Sequence, residues 1–124
     1  MLVAVERSRA TLDELIPDQD DTAMAGVTAA ELLLGVELGE GRDLRRRRAF
    51  IEQLLEAIPV ETYGLEVARS HAGLLAATRR AGRPRSAHDL IIAATALASD
   101  RTVVTMDRRG FDGLPGVDVR VPPG

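Results

Sequence analysis

Three acidic residues stand where chain elements change character: Glu31 in TAAELLLG, Asp89 in SAHDLIIAATAL and Asp107 in TVVTMDRRGF. Asp107 follows an apolar β-branched run that reads as a short buried strand stopping at a turn. Glu31 falls in the first helical turn after the apolar AMAGV, and Asp89 in the first turn of the helix that precedes TVVT. Loops and element ends at the rim of a sheet are where binding and catalytic side chains concentrate. Three carboxylates gathered there repel one another unless a cation joins them, and an all-oxygen donor set favours Mg2+ or Mn2+ over zinc. Such an ion keeps several of its waters, so it can lower the pKa of one and polarise a phosphodiester oxygen. The chemistry indicated is metal-assisted phosphodiester hydrolysis, and its structural sign is convergence of Glu31, Asp89 and Asp107 on one cation.

Each acid also has a purely structural reading. Thr28-Ala-Ala-Glu31 has the spacing of a capping box, and Ser86-Ala-His-Asp89 nearly repeats it. An aspartate in a turn after a strand commonly bonds its own neighbouring backbone, which is the alternative for Asp107. From pattern alone, capping is the favoured explanation for the first two. His71 and His88 have no partner at metal-ligand spacing and are assigned no role.

The elements that must position these acids follow from composition and periodicity. With 124 residues the chain is read as one domain, residues 1–124, able to bury a core. A hydrophobic share of 45% with only 2% aromatic means a core of Ala, Leu, Val and Ile, as expected for helices on a small sheet. Cysteine is absent, which excludes disulfides, thiolate metal sites and thiol nucleophiles. No apolar run is long enough for a membrane span or a signal-peptide core, so a cytoplasmic location is expected. The 16 basic residues are all arginine, which rules out lysine catalysis and leaves guanidinium as the fixed cation for phosphate contacts. Five lie between Arg42 and Arg48, and Arg79, Arg80, Arg83 and Arg85 form a second group. Such runs are most often solvated helix faces, with contact to an RNA backbone the sharper alternative.

Along the chain, AMAGV reads as a strand, TAAELLLGVEL as a buried helix carrying Leu32, Leu34 and Leu38, and Asp43 to Ile58 as an amphipathic helix stopped by Pro59. IPVETY reads as a short strand, Leu65 to Ala81 as a helix ended by Gly82, and Ala87 to Ser99 as an apolar helix whose LIIAATALA interior is buried. TVVT and VDVRV are the last strands, the second at an edge, with PDQDD a loop near the start and Pro122 and Pro123 closing the chain. Strands alternating with helices give an α/β sandwich with a mostly parallel sheet, in which sites form beyond the carboxyl ends of the strands.

Taken together, TAAELLLG, SAHDLIIAATAL and TVVTMDRRGF, in that order and at those separations, resemble the PIN-domain ribonucleases, in particular the VapC toxins of bacterial toxin-antitoxin pairs. The resemblance spans nearly the whole chain, and Glu31, Asp89 and Asp107 match the family's metal-binding acids residue by residue. It implies a PIN-like three-layer sandwich with four or five mainly parallel strands between helices. It further implies Mg2+- or Mn2+-dependent cleavage of RNA, a cognate VapB-type antitoxin and a homodimer. The family also opens with an apolar strand ending in Asp-Thr-Ser or similar, whose aspartate is a principal ligand, and this chain has no such motif. MLVAVERSRATLDEL is read as the helix that follows that strand, so that the first strand would be missing from the chain. The alternative makes LVAV the first strand, with Glu6 standing where the aspartate would be. The function expected is a toxin-type endoribonuclease, the alternative a catalytically impaired PIN-like module that binds an antitoxin or assembles as an oligomer. A DNA-directed nuclease of related chemistry is a third reading, against which the net charge of -3 argues mildly.

Overall fold

The computed structural model describes residues 2–3 and 22–121. Glu6, the PDQDD segment and the closing prolines lie outside the described residues. Five short strands form one parallel sheet: β1 (Leu2–Val3), β2 (Ala23–Ala25), β3 (Val60–Glu61), β4 (Val103–Val104) and β5 (Val119–Arg120), in the order β3-β2-β1-β4-β5. The expectation that the first strand is missing is thereby corrected. Leu2–Val3 holds the central place, with Leu2 opposite Ala23 on one side and Val103 on the other. Leu2 is fully buried there, and a parallel sheet covered on both faces asks for apolar runs rather than for alternation with polar residues.

Side chains on a strand alternate between faces, and here the alternation separates two cores. Ala23, Ala25, Leu2 and Val103 pack with Val67, Leu74, Leu90, Ile92, Ala93, Ala94 and Phe111, whereas Met24 and Val104 pack with Ala29, Leu32, Val36, Ile51 and Ile58. The first group draws on helices α3 (Leu65–Ala81) and α4 (Ala87–Ala98), the second on α1 (Gly26–Glu37) and α2 (Arg42–Ala57). The result is the three-layer α/β sandwich expected, and the LIIAATALA interior is largely buried, its small alanines letting α4 lie close to the sheet.

Helix limits have identifiable causes. Pro59 follows α2, and α3 ends on Gly82 in the left-handed conformation (φ 65°), which glycine adopts without steric cost. Ser86 caps α4 by accepting the Asp89 amide at 3.1 Å. In α1 the expectation of a buried Leu32, Leu34 and Leu38 is met only by Leu32. Leu34 is 54% and Leu38 73% exposed, because the core-facing stripe runs through Thr28, Ala29, Leu32 and Val36 at spacings of one, three and four, and Leu34 falls off it. Leu38 is the C-cap, beyond the last helical turn.

Candidate metal centre

Parallel strands deliver the chain to the helices and loops at one rim: two such junctions carry Glu31 and Asp107, while Asp89 stands at the start of α4, which follows α3. β2 runs straight into α1, whose N-cap is Ala25 and whose third residue is Thr28. Thr28 therefore sits inside the helix, its hydroxyl buried without a partner among the described residues, and the capping-box explanation of Glu31 fails. Glu31 instead turns to α4, where its Oε1 lies 3.2 Å from His88 Nδ1.

Asp89, next to His88, occupies the first turn of α4. Its amide is bonded to Ser86 Oγ, which is half of the capping arrangement. The carboxylate does not complete the other half through Oδ1, which is buried with no hydrogen-bond partner among the described residues. A carboxylate oxygen withdrawn from water and left unpaired is expensive unless a cation or donor meets it. The other side of this carboxylate rests against Gly110: a Cβ added there would come within 2.8 Å of Asp89 Cγ.

Gly110 belongs to the loop that begins with Asp107. Thr105 Oγ1, on a residue only 1% exposed, accepts the Asp107 amide at 3.1 Å. Asp107 caps the short 3-10 turn Arg108–Gly110 by accepting the Arg109 amide at 3.1 Å, the structural behaviour anticipated for an aspartate after a strand. The Arg109 side chain adds Nε to Asp107 Oδ1 at 2.9 Å and Nη2 to Oδ2 at 3.0 Å, a fork on both oxygens. These side-chain bonds, then the backbone bond, hold the Asp107 carboxyl below its ordinary range, and the same pairing raises Arg109. Arg85, just before the Ser86 cap, fastens the loop to the start of α4 by donating Nη1 to Arg109 O at 3.3 Å and Nη2 to Asp112 O at 2.5 Å. Phe111, fully buried, anchors it from beneath.

The structure thus joins Glu31 to the residue beside Asp89, and the Asp107 loop to Asp89 itself. It does not bring the three carboxylates onto one point. Among the described residues, no group of three or more Asp, Glu or His side chains is arranged to hold one ion. Two of the acids face partners of their own, Glu31 with His88 and Asp107 with Arg109. Sequence reasoning missed His88, Arg85 and Gly110. His88 carried one clue, its place next to Asp89 at a helix start; the contacts of Arg85 and Gly110 are long-range and had none. The arginines of α2 are largely solvated, Arg45, Arg46 and Arg48 being exposed, while Arg47 donates to Gly35 O at 3.1 Å.

As to chemistry, carboxylate oxygens are the donor type a hard divalent ion takes, and Asp89 keeps one buried oxygen unpartnered among the described residues, although the three carboxylates do not converge. Residues 2–117 match the model of the PIN domain. The chain is 33% identical to ribonuclease VapC5 of Mycobacterium tuberculosis, over 96% of its own length and 88% of that protein's. Among solved structures it is similar to VapBC-5 of Mycobacterium tuberculosis, a member of the VapBC family of toxin-antitoxin systems (26% identity, TM-score 0.74, 99% of this chain and 97% of that one). It is also similar to FitAcB of Neisseria gonorrhoeae (26% identity, TM-score 0.73, 96% of each chain).

Proposed function

The chain belongs to the PIN-domain family, and on that premise we propose that it is a toxin-type endoribonuclease, hydrolysing RNA phosphodiester bonds with Mg2+ or Mn2+ and neutralised by a cognate antitoxin. The observation that carries the reading is the Asp89 carboxylate, with a buried oxygen that no group among the described residues satisfies, between the element that bears Glu31 and the loop that bears Asp107. The similarity to a protein named a ribonuclease supports the activity, and the similarity to a VapBC toxin-antitoxin structure supports the partner.

Glu31, Asp89 and Asp107 are the residues that would hold the ion. Bound there, a divalent ion supplies an activated water and a counter-charge for the phosphoryl oxygens. The chain's own groups do the rest. Asp89 is fixed by the Ser86 cap and by Gly110, so its carboxylate has little freedom to lose on binding. His88 orients Glu31 through the 3.2 Å contact. The exposed Arg45, Arg46 and Arg48 offer phosphate contacts for an RNA backbone, in a single-stranded segment whose bases are accessible.

The test is cleavage of total RNA in Mn2+ by the chain and by its Asp89→Asn variant, with a chelator control. The amide at residue 89 still reaches Ser86, so the helix cap survives and folding is retained. Cleavage should fall by at least about 100-fold, the scale of losing one charge-stabilising group at a reacting phosphate. Equal cleavage by a folded Asp89→Asn protein sinks the proposal. The second reading, a catalytically impaired module that binds an antitoxin, draws on the engagement of Asp107 by Arg109 and of Glu31 by His88. Antitoxin binding without cleavage by the unaltered chain, in any divalent ion, decides for it.

A further inference from the structure

Arg109 bonds both oxygens of the carboxylate that the proposed site needs. We infer that Arg109 is a built-in competitor for the metal, a tethered cation that occupies Asp107 and must be displaced for a divalent ion to bind there. This rests on the metal reading given above.

The geometry sets both the specificity and the limit of the effect. A guanidinium presents two parallel N–H groups at the spacing of a carboxylate, and here Nε and Nη2 take one oxygen each. A divalent cation asks for the same oxygens, three of whose lone-pair positions Arg109 already takes, so the two positive groups compete for the carboxylate and repel one another. Tethering gives Arg109 a high effective concentration, since it lies two residues on in the same short 3-10 turn. The Arg109 side chain is 91% exposed and that of Asp107 44%, so water screens the pair and the arginine can swing into solvent without breaking packing. The device is a weak latch that raises the metal concentration the site requires. Neighbouring Arg108 has another carboxylate, Asp112 Oδ1 at 3.2 Å, and serves as an internal control of equal charge.

The experiment is a Mn2+ titration followed by the electron paramagnetic resonance of the free ion, on the unaltered chain, Arg109→Gln, Arg108→Gln, Asp107→Asn and the Arg109→Gln/Asp107→Asn double variant. Arg109→Gln should tighten Mn2+ binding about two- to five-fold, the range for releasing one solvent-exposed ion pair. Arg108→Gln should change it by less than about two-fold, and Arg109→Gln should change nothing once Asp107 is Asn. Unchanged or weaker binding by Arg109→Gln, with Asp107→Asn still lowering affinity, overturns the latch and leaves the metal site standing. Binding that is indifferent to Asp107→Asn removes Asp107 from the site, and the latch falls with it.

Discussion

Asp89 gains its character from what surrounds it more than from its own chemistry. The backbone amide is satisfied by Ser86, one carboxylate oxygen is buried without a partner, and the space beside the other is filled by the backbone of Gly110. Gly110 is demanded here by close approach and not by backbone conformation, since its φ is not in the left-handed region. Gly110→Ala should therefore act as a probe of the contact. A methyl group within 2.8 Å of Asp89 Cγ cannot be accommodated without moving the carboxylate or the loop. We expect a stability loss of about 1–3 kcal/mol, the usual cost of overpacking, accompanied by weaker Mn2+ binding. Denaturant unfolding and the Mn2+ titration measure the two effects. A variant that keeps both stability and metal affinity would mean that the loop does not abut Asp89.

At the level of elements, the site depends on one loop being held against one helix start. Arg85 makes both of its bonds to backbone carbonyls, of Arg109 and Asp112, so it fixes the course of the loop and not a side chain. Arg85→Met retains the aliphatic stem and removes the donors. The amides of residues 108–114 should then exchange with solvent faster while those of β4 and α4 keep their protection, and stability should fall by about 1–2 kcal/mol. Uniform exchange across the molecule would count against a local role for Arg85. The elements themselves were largely readable. The Gly82 stop, the apolar α4 and the edge strand in VDVRV stand where periodicity and turn residues put them, and the strand expected in AMAGV is there but shorter, since Gly26 and Val27 already open α1 without a turn. So were the positions of Glu31, Asp89 and Asp107 at element junctions. What was not legible depends on contacts between distant segments. The pairing of His88 with Glu31, the Arg85 bonds and the tight fit at Gly110 appear only when α1, α4 and the loop after β4 are brought together. The fork between Arg109 and Asp107 is local, yet an arginine two residues from an aspartate is too common a pattern to single out. The first strand was misread because a four-residue apolar run fits strand and helix alike.

For the molecule as a whole, the central strand decides whether these parts stay together. β1 lies between β2, which leads into the Glu31 helix, and β4, which leads into the Asp107 loop, so it is the structural link between the two halves of the site. Leu2 has no exposed surface, its amide donates to Thr102 O at 2.8 Å, and its side chain belongs to the core shared with α3 and α4. Truncating a fully buried leucine removes transfer energy and leaves a cavity, so Leu2→Ala should cost about 2–5 kcal/mol. Leu38→Ala is the matched control, because Leu38 is 73% exposed, and a surface change of that kind is expected to stay within about 0.5 kcal/mol. Equilibrium unfolding of both variants distinguishes the outcomes. A large loss at Leu2 with none at Leu38 is what a central β1 requires. Equal, small effects would mean that the middle of the sheet is not held by Leu2–Val3, and the alignment of Glu31 and Asp107 across it would need another origin.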